Sequence, residues 1–199
     1  TQFVGDGWLN LYQQGDLYVL DNTSIPRLRS MPNPNGTGIC GVVSGPGTIN
    51  VTAQYSAICG AMSGNGTGVT NIPAGSTLDM GFMAGSGGLN ITGRTINNMG
   101  TANWSHVGYA LSLNAGAQFN NSGTFNLIST LTTQGAGGTF NNSGVFRSSG
   151  AVARQMRNDS TPNVVFNNTG NIDVPDAGGE LHFAVGSWNM MNGTSVTWR

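Results

Sequence analysis

The chain repeats itself at intervals of about twenty residues, and no other feature restricts its fold as strongly. Residues 39–48 read I-C-G-V-V-S-G-P-G-T and residues 58–67 read I-C-G-A-M-S-G-N-G-T, with seven of ten positions identical at an offset of 19. A weaker third copy, M-G-F-M-A-G-S-G-G, starts at Met80. In the second half N-N-x-G recurs at Asn97, Asn120, Asn141 and Asn167, with spacings of 23, 21 and 26 residues. Its last three copies extend to Phe119-Asn-Asn-Ser-Gly-Thr-Phe125, Phe140-Asn-Asn-Ser-Gly-Val-Phe146 and Phe166-Asn-Asn-Thr-Gly-Asn-Ile172. This period is too short for a propeller blade or a helical-repeat unit, and it suits one coil of a β-solenoid. Apolar and polar residues alternate between the turns, as in Leu78-Asp-Met80, Leu89-Asn-Ile91, Leu111-Ser-Leu113, Leu181-His-Phe183 and Val196-Thr-Trp198. A period of two is the signature of a half-buried strand. The fold class expected is therefore an all-β solenoid with coils of 19–26 residues.

Composition agrees. The chain holds 32 Gly and is rich in Asn, Ser and Thr. These residues favour tight turns and disfavour helices. Only 8% of residues are charged, against roughly 25% in an ordinary soluble domain. There is no lysine, and the seven arginines form no basic stripe, which argues against a nucleic-acid partner. No run of 18 apolar residues occurs, so no helical span of a membrane is expected.

If each repeat is one coil, equivalent side chains lie above one another at about 4.8 Å. Phe119, Phe140 and Phe166 then form an internal aromatic stack. Asn120, Asn141 and Asn167, or their followers Asn121, Asn142 and Asn168, form a ladder of side-chain amides. The bland alternative is a turn motif without a ladder. Cys40 and Cys59 hold the same place in the 19-residue repeat. One strand spacing lies within the Cα separation a disulfide needs, about 4.4–6.8 Å. A bridge is expected, against the alternative of two stacked thiols, and it implies an oxidising compartment and secretion. Thr residues look out of register from coil to coil, which speaks against an ice-binding array.

Residues 1–36 read differently. Trp8–Tyr12 and Asp16–Leu20 suggest a hairpin or strand pair around Gln13-Gln-Gly15, and Asn22 to Gly38, with Pro26, Pro32 and Pro34, suggests an irregular loop. This stretch is expected to cap the solenoid or to act as an inter-subunit arm, with solenoid repeats over 37–199. Residues 151–163 read as a loop or short helix inserted between coils. The chain begins at Thr1, as a mature or excised segment would, and shows no polar capping segment at its end.

Sequons outside the F-N-N repeat occur at Asn22, Asn35, Asn50, Asn65, Asn90, Asn103, Asn158 and Asn192, and glycosylation there is an open option. Asp173, Asp176 and Glu180, near His182, are the densest carboxylate group and the one weak candidate for a cation; otherwise no metal, cofactor or catalytic residue is expected. Trp8, Trp104, Tyr109, Trp188 and Trp198 are candidates for stacking on a sugar, with core or inter-subunit packing as the commoner use of such rings.

The F-N-N-[S/T]-G repeats, together with Leu89-Asn-Ile-Thr-Gly-Arg-Thr-Ile-Asn-Asn-Met-Gly-Thr-Ala-Asn-Trp104 and Gly179-Glu-Leu-His-Phe183, resemble the tandem β-helix repeats of large bacterial surface and secreted proteins, including adhesin stalks. The resemblance covers about half the chain. It implies a right-handed β-helix and carries over no catalytic residue. The function expected is a non-enzymatic extracellular structural subunit of a fibre, sheath or stalk, self-associating by head-to-tail stacking. The alternatives are an adhesin or glycan-binding segment and, less favoured, a β-helix polysaccharide lyase or hydrolase.

Overall fold

The computed structural model describes residues 1–12, 15–32, 40–81, 88–105, 110–149, 154–158, 164–175, 180–184, 187–191 and 193–198. Among the described residues there are twenty-one strands and no helix. They stack as a parallel β-solenoid of about seven turns.

Three columns of strands form its walls. The first runs through residues 9–12, 28–31, 54–57, 77–80, 101–104, 124–127, 145–148, 171–174 and 195–198. The second runs through 16–18, 42–44, 61–62, 89–92, 110–114, 131–134, 154–158 and 181–184. The third runs through 23–25, 49–51, 69–72, 94–98, 118–121, 139–142, 165–168 and 187–190. Every strand pair in these columns is parallel, because each coil returns to its starting wall before the next begins.

Alternation sets which side chains meet. In Thr139–Asn142 and Val145–Ser148 burial switches at each residue, so one residue in two faces the core. Register then puts like on like. Phe119 and Phe140 stack at 4.9 Å between ring centroids and 9° between planes, and Phe140 lies on Phe166 at 5.4 Å. A second stack, Phe125 on Phe146 at 5.2 Å, meets the first edge-on. Offset-stacked and T-shaped pairs are the favoured aromatic geometries.

The corner glycines of the repeat serve close approach rather than positive φ. A β-carbon on Gly123, Gly144 or Gly170 would strike the carbonyl of Gly100, Gly123 or Gly144 in the coil beneath.

Four expectations are corrected. Residues 9–12 and 16–18 do not form a hairpin: Leu9 pairs with Leu28 and Asp16 with Val42, both in parallel. Thr23–Met31 is a strand, with Pro26 at a register shift between Ile25 and Arg27. Proline has no N–H to give the ladder and is tolerated at such an irregularity. Pro32 makes an isolated bridge to Cys40, and Pro34 lies outside the described residues. Within 151–163, residues Arg154–Asn158 are a strand rather than a loop or helix. The third I-C-G-like copy at Met80 is not an equivalent rung, because Met80 pairs with Trp104 in the first wall whereas Gly60 pairs with Leu89 in the second.

Candidate functional site

The regular features of the molecule are its columns of polar side chains. On the outside of the third wall, Asn50, Asn71, Asn97, Asn120, Asn141, Asn167 and Asn189 form one continuous ladder. Each Nδ2 donates to the Oδ1 of the asparagine one coil earlier, at 2.8–3.0 Å. All seven amides therefore point the same way.

A second ladder lies inside the wall. Asn98 donates to Asn121, Asn121 to Asn142, and Asn142 to Asn168, each at 2.6 Å. Its direction is opposite, with donors pointing to the later coil. The sense is fixed locally, since the Nδ2 of Asn121 also reaches the carbonyl oxygens of Gly123 and Val145. The inner ladder starts at Asn98, whose register partner in the earlier coil is Ile72. The Asn98 Oδ1 is accordingly buried with no donor. Both positions of the Asn pair thus form ladders, an outer and an inner one.

On the first wall, Asp79 accepts from Gln54 and Asn103 at 2.7 Å, and Asn126 donates to Asn103. The same column continues through Arg147 to Asp173, an ion pair at 2.8 Å. Beside it Thr77, Thr101 and Thr124 stand in register over three coils, so threonines do align on this wall, contrary to the reading of the sequence.

Arg94 is the buried polar group that the sequence hid. It is 1% exposed. Its guanidinium donates to the carbonyl oxygens of Gly45, Gly47, Ser63 and Val69 and to the Thr70 hydroxyl. These acceptors belong to earlier coils, so one side chain pins several turns together. Burial lowers its pKa to about 10, partly opposed by the neighbouring Tyr55. Burial also pushes the Tyr55 phenol up to about 12, against the hydrogen bond it shares with Ser30 and the charge of Arg94. The legible signal was the glycine-rich stretch around it: a β-carbon at Gly68 would meet the Arg94 guanidinium.

Cys40 and Cys59 are bonded, with Cα atoms 5.9 Å apart. The expected sequons divide by environment. Asn22 and Asn65 are exposed, and Asn65, with φ 48°, sits at the register break between Ser63 and Gly68 in the strand Gly60–Ile72. Asn90 is exposed but accepts from Asn114 and Thr92. Asn50 and Asn103 are held in ladders. Asn35 and Asn192 lie outside the described residues, as does the side chain of Asn158.

The carboxylate candidates do not converge. Asp173 is buried and paired with Arg147, Glu180 pairs with His182 at 2.6 Å, and Asp176 lies outside the described residues. Among the described residues no group of three or more His, Cys, Asp or Glu is placed to hold a metal ion. The aromatic candidates are also engaged elsewhere. Trp104 is buried in the core and donates to the Thr130 carbonyl. Trp188 packs on Phe166 and Phe183. Arg29 lies 4.0 Å over the Trp8 ring. Tyr109 and the side chain of Trp198 are outside the description.

At the last coil the core is open. Ile172, Val174, Leu181, Phe183, Met190 and Val196 line an apolar cavity of about 250 Å³, and Val196 is 62% exposed.

No protein-family model matches the chain, and no curated protein or solved structure matches it at a significant level.

Proposed function

We propose that this chain is an extracellular, non-enzymatic structural segment that builds a rod, fibre or stalk by axial stacking of β-solenoid coils. The observation that carries the reading is the open apolar end at Ile172, Phe183, Met190 and Val196. A surface of that kind, bordered by the strands at 181–184, 187–190 and 195–198, offers unpaired backbone groups and apolar side chains to a further coil. An edge of this sort templates pairing with another chain. That coil belongs either to a continuing chain or to another subunit, and both outcomes lengthen one rod. A head-to-tail contact repeated without closure gives a filament. The Cys40–Cys59 bond is compatible with an oxidising, extracellular setting, and low charge leaves little repulsion between subunits.

A glycan-binding segment is the second reading, and Trp8, Trp104 and Trp188 favour it less now that each ring has another partner. Catalysis is the third. Asp79 and Asp173 are each held by neighbours, as structural carboxylates are.

Electron microscopy of the purified chain tests the proposal. Rods longer than one molecule, abolished by Val196→Arg at the open end, support it. Dispersed single molecules that bind a glycan array support the second reading. Cleavage of a polysaccharide by the purified chain supports the third.

A further inference from the structure

We propose that the outer face of the third wall is a lateral docking surface for a second copy of this chain, packed with its axis antiparallel. The proposal rests on the chain being an assembly subunit, but it concerns a different surface from the open end.

Four observations point to it. First, the face carries two outward columns. One is the asparagine ladder from Asn50 to Asn189, and the other runs from Thr48 through Val69, Thr95, Gln118, Thr139 and Val165 to Ser187. No residue of either column is charged. The first wall differs, since Arg29, Asp79, Arg147 and Asp173 stand in its outward column.

Second, the ladder uses only part of each amide. An asparagine has two N–H donors and two acceptor lone pairs, and the ladder bonds engage one of each. The column is part-exposed along its length and recurs once per coil, at a spacing of about 4.8 Å. A partner that satisfies such a row must repeat at the same interval over seven coils. Another copy of this face does so by construction, and stacked identical strands pack in this way, with identical side chains meeting between paired sheets and asparagine ladders adding to the stability.

Third, the seven amides point in one direction, so their dipoles add along the axis. An antiparallel partner opposes that sum and sets donors against acceptors. Such a contact is two-fold and self-complementary.

Fourth, size fixes the regime. A face of seven rungs is roughly 30 Å tall and about three residues wide. That is small beside the roughly 800 Å² per partner of a standard interface. One molecule therefore pairs weakly, and rods of many coils pair firmly because their contacts are linked.

Sedimentation equilibrium into the high-micromolar range and electron microscopy of the full chain test the proposal. The variants are Thr95→Arg with Thr139→Arg, and Val165→Arg alone. Thr101→Arg on the first wall is the control, and Thr95→Ser with Thr139→Ser tests side-chain shape without charge. The expected result is side-by-side pairs in the native chain. The arginine variants of the third wall weaken pairing by at least about tenfold, through buried like charge. The control and the serine variant pair as the native chain does, and all four keep the native circular dichroism. A native chain of single-width rods overturns the proposal, and so do pairs that persist in the arginine variants. Single-width rods joined end to end leave the axial reading standing. Side-by-side pairs only one molecule long support the lateral reading and overturn end-to-end stacking of separate subunits.

Discussion

Asn120 and Asn121 are adjacent in sequence and both belong to ladders, yet their environments differ. Asn121 is 1% exposed and its Nδ2 serves Asn142, Gly123 and Val145. Its loss takes the donor from the buried Oδ1 of Asn142 and the acceptor from the Nδ2 of Asn98, which costs the desolvation of buried amide groups rather than one net bond. Asn120 faces outward, where water replaces its partners. Asn121→Ala should therefore destabilise by about 3 kcal/mol and Asn120→Ala by about 0.5–1 kcal/mol, measured by urea unfolding; equal costs would contradict the two-ladder description. Tyr55 and Arg94 titrate in overlapping ranges with opposite effect. The folded-state pKa of Tyr55 lies above its unfolded value, so its contribution is whole below pH 10 and is lost as pH rises toward about 12. The folded-state pKa of Arg94 is depressed to about 10, so the unfolded chain holds that proton longer and stability gains as pH rises above it. In the native chain the two slopes oppose each other. In Tyr55→Phe the losing slope disappears, and unfolding midpoints measured between pH 10 and 12 should fall less steeply than in the native chain. A steeper fall would contradict the assignment.

At the scale of the strand and its turn, much was legible in the sequence. The Φ-N-N-[S/T]-G-x-Φ repeat fixes alternation, corner and register together, so the phenylalanine stack and the asparagine ladder followed from spacing alone. The Cys pair followed for the same reason. Misreadings arose where the local signal and the coil disagree. Pro26 looks like a loop residue, but a register shift accommodates it within a strand. Trp8–Tyr12 and Asp16–Leu20 alternate like a hairpin, but a solenoid pairs each with the coil above rather than with its neighbour in sequence. Met80 copies the I-C-G motif in composition while standing on another wall. Arg94 escaped because a buried cation held by backbone carbonyls has no partner residue that a sequence could display. The disulfide acts at this scale as well, tying two consecutive coils across 19 residues. Replacing both cysteines by alanine should cost about 3 kcal/mol of stability. Reduction of the native chain should lower its unfolding free energy by the same margin, and no change in either would show that the bond closes nothing.

For the whole molecule, the stacking of coils explains both the packing and the proposed role. Each coil buries its apolar face only against its neighbours, so stability accumulates along the axis. The same geometry repeats the polar columns outside, and an apolar cavity stands open beside Val196 at the last described coil. Everything depends on consecutive coils being in register. Cysteine cross-linking reads that register directly: Thr124→Cys with Val145→Cys joins two outward residues that are register partners on the first wall, and Thr124→Cys with Arg147→Cys is offset by two residues. The account predicts that mild oxidation joins the first pair within the monomer and leaves the second open. Cross-linking of the offset pair in preference to the matched one would contradict it.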